Sequence, residues 1–291
     1  MNTTSSNIIH TGTPSRSALR VATLRAVHRL LDEPVIFDDP IALPILGSEM
    51  SATISDDPFR FNDPMSRGLR AMLIARSKFA EEEMHKAVRA GVRQYVVLGA
   101  GLDTFAFRNT HADEGLHVYE VDHPSTQDWK KALLHEAGIP VPKSMSFVAI
   151  DFETKTLREG LRDAGFQADQ PAYFSWLGVA IYLTQEAIFE TLRFVASLPK
   201  GSAITFDYSL DRALLNPIER AISEYMGQLI ASQGEPWISF FDPASLKEEL
   251  GKMGYDSIED LGPDELNPRY FSRRKDGLRT GGGVRLMCAK K

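Results

Sequence analysis

The feature that most constrains this chain is Tyr95-Val96-Val97-Leu98, an unbroken apolar run that ends in Gly99-Ala100-Gly101. Four consecutive apolar residues leave no polar face for water, so a strand built from them must be covered on both sides, as in a parallel sheet. The two glycines let the backbone turn sharply and come close to a ligand where a Cβ would obstruct it. Short runs at 116–121, 146–150, 172–177 and 203–206 also read as strands, and segments 124–137, 153–164 and 185–198 between them carry helical spacing. Strand, helix and strand in alternation imply right-handed crossovers and an α/β sheet with helices on both faces.

The flanks differ from this core. Residues 15–31 repeat apolar positions at Leu19, Ala22, Ala26 and Leu30, with Arg16, Arg20, Arg25 and Arg29 on other faces, which predicts a helix. Prolines break the stretch 33–47, a second helix is expected over 66–89, and Gly91 suits its left-handed end. After the fifth strand, 211–233 reads as a long inserted helix, Asp242-Pro243 as the start of another, and 255–261 and 284–289 as two closing strands. The connection 262–283, with Arg273-Arg274-Lys275, reads as a solvated loop. The expected organisation is a tail at 1–14 and one domain at 15–291. Within that domain, 15–90 form a helical cap, 92–208 the core, 209–242 a lid insert, and 243–291 the closing helix and strands.

Composition excludes several classes. The 33 Lys+Arg against 39 Asp+Glu give a net charge of −6, whereas sequence-independent nucleic-acid binding needs a dense basic face. Cys288 is the single cysteine, so neither an internal disulfide nor a cysteine metal cage is expected. No apolar run approaches the roughly 18 residues of a membrane span, and the N-terminus lacks a signal-peptide pattern. The expectation is a cytoplasmic protein without nucleic-acid or membrane partners and without a metal.

In an open parallel sheet, ligands bind beyond the carboxyl ends of the strands. The first strand leads into Gly99, Ala100 and Gly101, where a dinucleotide fingerprint would want a third glycine at Thr104. The second ends at Glu120-Val121-Asp122, where an acid can accept from both hydroxyls of a ribose, or else cap the helix that starts near Pro124. The third ends at Asp151-Phe152, an acceptor for an adenine amine with an apolar wall for the ring, or equally a helix cap. Together the three loops suit an adenosine moiety without a pyrophosphate.

The run RQYVVLGAGLDTFAFR, followed by VYEVDHP with Lys130 and Lys131 downstream and then AIDFE, resembles the leucine carboxyl methyltransferase-like family of class I S-adenosylmethionine-dependent methyltransferases, in its bacterial branch. RVATLRAVHR with FDDPIA, and LGPDELNPRYFSRRKDGLR, are similar to the family's first helices and closing segment, so the resemblance extends from about Ser15 onward. It implies a Rossmann-like doubly wound, mostly parallel seven-stranded sheet with a last antiparallel strand, N-terminal helices and a helical lid insert. It also implies S-adenosyl-L-methionine as cofactor, with Arg76 on the methionine carboxylate, Gly99, Ala100 and Gly101 in the cofactor loop, Asp122 at the ribose, and Asp151 with Phe152 at the adenine. Two positions depart from the family pattern. Phe105 stands where an arginine is usual, and Leu177 stands where the fourth strand usually ends in glutamate near the cofactor's amino acid.

The expected reaction is O-methylation of a carboxyl or hydroxyl group of a small molecule. A carboxylate acceptor is already ionised near neutral pH and needs no base. Tyr182, Asp207, Tyr208 and Trp237 are candidate acceptor contacts or else packing residues, and Trp237, Phe240 and Phe241 would suit an apolar body or pack the lid onto the sheet. The seven histidines read as surface or capping residues, with His123 facing the cofactor side. The rival readings are a non-catalytic cofactor-binding homologue, motivated by Leu177, and an NAD(P)-dependent oxidoreductase.

Overall fold

The computed structural model of the chain describes residues 15–152, 154–232 and 234–291; the tail expected at 1–14 lies outside the described residues. Seven strands are present among them: Gln94–Leu98 (β1), His117–Asp122 (β2), Met145–Ala149 (β3), Ala172–Trp176 (β4), Ala203–Ser209 (β5), Ser257–Leu261 (β6) and Val284–Lys290 (β7). They form one sheet in the order β3-β2-β1-β4-β5-β7-β6. The first five are parallel, and β7 runs antiparallel to both of its neighbours. The order reverses between β1 and β4, so the crevice of this doubly wound α/β sheet opens at their carboxyl ends.

The helices are Arg16–Leu31 (α1), Ser48–Asp56 (α2), Pro64–Arg89 (α3), Pro124–Glu136 (α4), Leu157–Asp163 (α5), Gln185–Ala196 (α6), Pro217–Ser232 (α7), Pro243–Lys252 (α8) and Pro263–Tyr270 (α9). Every residue of β1 is buried, and its side chains alternate between two layers. Val96 and Leu98 pack with Leu161 of α5, Leu192 of α6 and Leu250 of α8. Tyr95 and Val97 pack with Met84 and Val88 of α3. That two-sided burial is what an unbroken apolar run requires. Helix α3 also carries Ala71, Ala75 and Phe79 against Leu286 and Cys288 of β7, which brings the middle of the helix over the crevice.

Several expectations are corrected by local chemistry. Helix α5 starts at Leu157, four residues later than expected at 153, because Thr156 caps it: the Glu159 N–H donates to Thr156 Oγ1 at 3.3 Å and the Thr156 N–H donates back to Glu159 Oε2 at 3.0 Å. The expected long helix at 211–233 is broken before Pro217, which disfavours helical backbone at Asn216. Asp211 caps a short 3-10 turn at Arg212–Leu214, and the Asn216 side chain caps α7 by accepting from the Ile218 and Glu219 N–H groups. Within 262–283 lies α9, closed at its start by Glu265, whose Oε2 accepts from the Gly262 N–H at 2.7 Å. Arg274 is not a solvated loop residue: its side chain is 2% exposed, pairs with Asp276, and donates to the Pro34 carbonyl.

Two basic side chains of α1 also belong to the interior. His28 is fully buried rather than at the surface; Nε2 accepts from the Ile36 and Phe37 N–H groups while Nδ1 contacts Asp32 Oδ2 at 2.7 Å. With Nε2 accepting, Nδ1 must carry the proton and donate. Arg25 is buried as well and reaches across to the loop after β1.

Candidate active site

The loop after β1 turns through Gly99 (φ +63°) and Gly101 (φ +47°), both left-handed and therefore strained for any residue with a Cβ. A Cβ on Gly99 would lie 2.3 Å from Val179 Cγ2, so the loops after β1 and β4 meet at this glycine. The Ala100 N–H donates to the Val121 carbonyl at 3.1 Å, extending the β1–β2 ladder by one residue. The next N–H, from Gly101, turns to Asp122 Oδ2 at 2.6 Å, and Asp122 Oδ1 accepts from the His123 N–H at 2.7 Å. Asp122 does not cap α4; that position belongs to His123, whose Nδ1 accepts from the Ser125 N–H at 3.2 Å. Burial raises the carboxyl pKa of Asp122, against the pull of the two backbone donors.

Polar contacts of distant origin hold the loop from behind. Arg25 Nη2 donates to the Leu102 carbonyl at 3.2 Å and to Thr104 Oγ1 at 3.1 Å, and pairs with Asp39 Oδ2 at 2.8 Å. The Thr104 hydroxyl donates to Asp39 at 2.6 Å. Burial alone would raise the carboxyl pKa of Asp39, but the Arg25 and Arg108 guanidiniums hold it below the usual value. Lys130 ties the Asp103 carbonyl to Glu120, with Nζ at 2.6 Å from each. The sequence reading did not assign Arg25, Asp39 or Lys130 to the site. No local pattern separates Arg25 from Arg16, Arg20 and Arg29 on the same helix.

The loop leads directly into a four-residue 3-10 turn, Phe105–Arg108, rather than an α-helix. Phe105 is buried edge-on against Tyr95, with ring centroids 5.0 Å apart, and Arg108 carries the charge in this turn, with Nη1 donating to Glu81 Oε2 at 2.9 Å.

Gly99, Ala100, Gly101, Asp122, His123, Asp151, Phe152, Leu177, Tyr182, Asp207, Tyr208, Trp237 and Arg76 all line one cavity of about 1800 Å³. Ligand cavities commonly enclose roughly 300–1,000 Å³, so this one has room for two ligands side by side. Asp151 does not cap α5; its backbone carbonyl accepts from the Thr154 and Lys155 N–H groups, and Phe152 projects with 65% of its surface exposed. Leu177 packs with the cluster of α3 and β7. Arg76 and Asp207 form a buried ion pair, Nη1 to Oδ2 at 2.5 Å, and Asp207 Oδ1 accepts from the Gly178 N–H at 2.5 Å.

The acceptor-side candidates divide. The Tyr208 hydroxyl donates to Asp260 at 2.9 Å on the far side of β5 and is pushed well above the usual range by burial and that carboxylate, so it is already engaged although Tyr208 lines the cavity. Phe241 is buried between Phe189 and Tyr208, and Phe240 lies under Arg212, so neither lines the cavity. Trp237 does, beside Tyr182 and the inner face of α7 at Ile222, Met226 and Ile230. Burial raises the pKa of the Tyr182 hydroxyl, which keeps it protonated near neutral pH.

Residues 18–196 match the family model for leucine carboxyl methyltransferase. The chain belongs to the leucine carboxyl methyltransferase family. It is 34% identical over 288 residues to YktD of Bacillus subtilis, which is named provisionally as an S-adenosyl-L-methionine-dependent methyltransferase, and the match covers 91% of this chain and 93% of that one. A Mycobacterium avium protein with the same provisional name is 31% identical over 226 residues, 72% of each chain. Among solved structures, a protein from Thermobifida fusca provisionally titled a methyltransferase superposes with a TM-score of 0.57 at 17% identity, covering 97% of both chains. A DUF574 family protein from Streptomyces avermitilis gives 0.55 at 18%, covering 97% of this chain and 99% of that one. These two show the shared fold. The family match runs without a break from α1 through α3 and β1 to the end of α6, so the glycine loop, Asp122 and Arg76 of this methyltransferase family member all lie inside it.

Proposed function

We propose that this family member binds S-adenosylmethionine in the cavity and transfers its methyl group to an oxygen of a small, largely apolar molecule. The observation that carries the reading is Asp122. Its carboxylate is fixed at the end of β2 by the Gly101 and His123 N–H groups while it borders the cavity. The carboxylate's acceptor lone pairs meet the two N–H donors and the Thr126 hydroxyl, which leaves a place for a ribose hydroxyl. Asp151 and Phe152 stand at the next strand end, where an adenine would lie, and Arg76 presents a guanidinium suited to a carboxylate.

When bound, the cofactor brings its own activated methyl and leaving group. The chain's residues bind and orient. The loops after β1 and β2 fix the adenosine, and Ile222, Met226, Ile230 and Trp237 of the 209–242 insert form an apolar wall that excludes water and receives the acceptor's body. With Tyr182 and Tyr208 held protonated, no strong base faces the cavity from these tyrosines, which favours an acceptor that is already ionised, such as a carboxylate. A nicotinamide dinucleotide fits less well. Its pyrophosphate wants a helix N-terminus directly after the glycine loop, and a 3-10 turn follows here.

The test is calorimetric titration of the purified protein with S-adenosylhomocysteine, repeated with Asp122→Ala and with NAD. The expected result is micromolar binding of the homocysteine compound, lost in the variant, and none of NAD. Binding of NAD alone would refute the reading. Transfer of a labelled methyl group to a panel of apolar carboxylic acids, phenols and amines then tests the acceptor class. Label appearing on amines but not on oxygen would overturn it.

A further inference from the structure

We propose that Asp207 receives the α-ammonium group of S-adenosylmethionine, so that Arg76 and Asp207 form a charge pair complementary to the zwitterionic end of the cofactor. This rests on the cavity being the cofactor site. The end of β4 offers no charge, because Leu177 packs into the apolar layer between α3 and β7. Strands β4 and β5 run parallel with Trp176 opposite Phe206, so the residues that follow, Leu177 and Asp207, stand side by side at the same sheet edge. The carboxylate absent from one strand is thus present on the next.

Asp207 is 6% exposed and borders the cavity. Each oxygen has one donor, the Gly178 N–H on Oδ1 and Arg76 Nη1 on Oδ2, which leaves one lone pair on each for an ammonium. Arg76 Nε and Nη2 make no hydrogen bond with other described residues, so donors remain for a carboxylate. The approach of Arg76 depends on Gly178, where a Cβ would lie 2.7 Å from Nη2. A buried pair of zero net charge gains little from a lone cation or anion. A zwitterion meets both members at once.

The experiment is calorimetric titration of the full-length protein with three ligands: S-adenosylhomocysteine, its deamino analogue that keeps the carboxylate, and 5′-methylthioadenosine, which lacks the whole amino-acid end. In Asp207→Asn, affinity for S-adenosylhomocysteine should fall about tenfold or more, since one charge-assisted hydrogen bond is lost. Affinity for methylthioadenosine should stay within about twofold, a margin small against the tenfold step of 1.4 kcal/mol, and affinity for the deamino analogue should hold or rise, because Arg76 loses its counter-charge. An equal loss for the deamino analogue would mean that Asp207 only positions Arg76, and an unchanged affinity for S-adenosylhomocysteine would mean that it does not meet the ammonium. Either result overturns the proposal. Failure of the wild type to bind S-adenosylhomocysteine would instead overturn the cofactor reading. The double variant L177E/D207N, which returns a carboxylate on the neighbouring strand, should regain most of the lost affinity. If D207N does not melt cooperatively, the double variant carries the comparison. Binding of S-adenosylhomocysteine there no tighter than that of the deamino analogue would count against the proposal.

Discussion

Replacing Gly99 by alanine tests how the loop after β1 is built. Two costs act at this position. Holding an alanine in left-handed backbone costs about 1–2 kcal/mol. The new Cβ would also meet Val179 Cγ2 at 2.3 Å, an overlap that a β-branched side chain cannot escape by rotating freely, and overpacking of this kind costs about 1–3 kcal/mol. Gly99→Ala should therefore destabilise by about 2–5 kcal/mol, the sum of those two ranges. Gly138 supplies the control: its φ is +66°, and a Cβ there has nothing within 4 Å. Gly138→Ala should show the backbone cost alone. At about 2 °C per kcal/mol for a chain of this size, the melting temperatures should fall by about 4–10 °C and 2–4 °C respectively. Val179→Ala removes the obstructing methyls, so the double variant G99A/V179A should be more stable than the sum of the single effects, by about 1 kcal/mol or more. Scanning calorimetry or urea unfolding reads all four proteins. Equal losses in G99A and G138A, together with an additive double variant, would refute the argument that Gly99 is required by contact with the loop after β4.

Other perturbations probe the same surroundings. Asp122→Asn should weaken S-adenosylhomocysteine and methylthioadenosine alike, by about tenfold or more, because both carry the ribose; calorimetry that finds only one affected would refute the ribose assignment. Arg25→Leu leaves Asp39 buried beside Thr104 without its closest cation and should cost about 3–5 kcal/mol in urea unfolding, with a loss under about 1 kcal/mol counting against the network. Burial pushes the Glu120 carboxyl up to about 7 despite Lys130. That lies above the roughly 4.3 of an unfolded glutamate, so its contribution to stability is complete below about pH 4.3 and is lost as pH rises through about 7. Glu120→Gln should therefore gain stability relative to wild type between about pH 5 and pH 7, and a relative loss across that interval in urea midpoints would contradict the sign.

The elements that could be read from the sequence are those fixed by near neighbours. An unbroken apolar run demands cover on both faces, which placed β1 to within a residue, and short, mainly apolar runs placed β2 through β5 to within a residue or two at most ends. Asp242-Pro243 starts α8 as expected, with the Ser245 N–H donated to Asp242 at 2.8 Å. The misjudged elements also had local causes that were present but outweighed. Thr156 with Glu159 delays α5, Pro217 splits the insert, and Glu265 closes the start of α9 inside what read as a loop.

The sequence by itself determined the α/β class, the glycine turn after β1 and the acids at the strand ends, because backbone freedom and periodicity act over a few residues. Only the tertiary structure decided which charges meet. Arg25 finds Thr104 across 79 positions and Arg76 finds Asp207 across 131. A buried charge must be paired, but the partner is set by where the sheet and helices bring it, and no local pattern encodes that distance. The same holds for Leu177: along the chain it reads as a lost carboxylate, and beside β5 it is one strand away from Asp207.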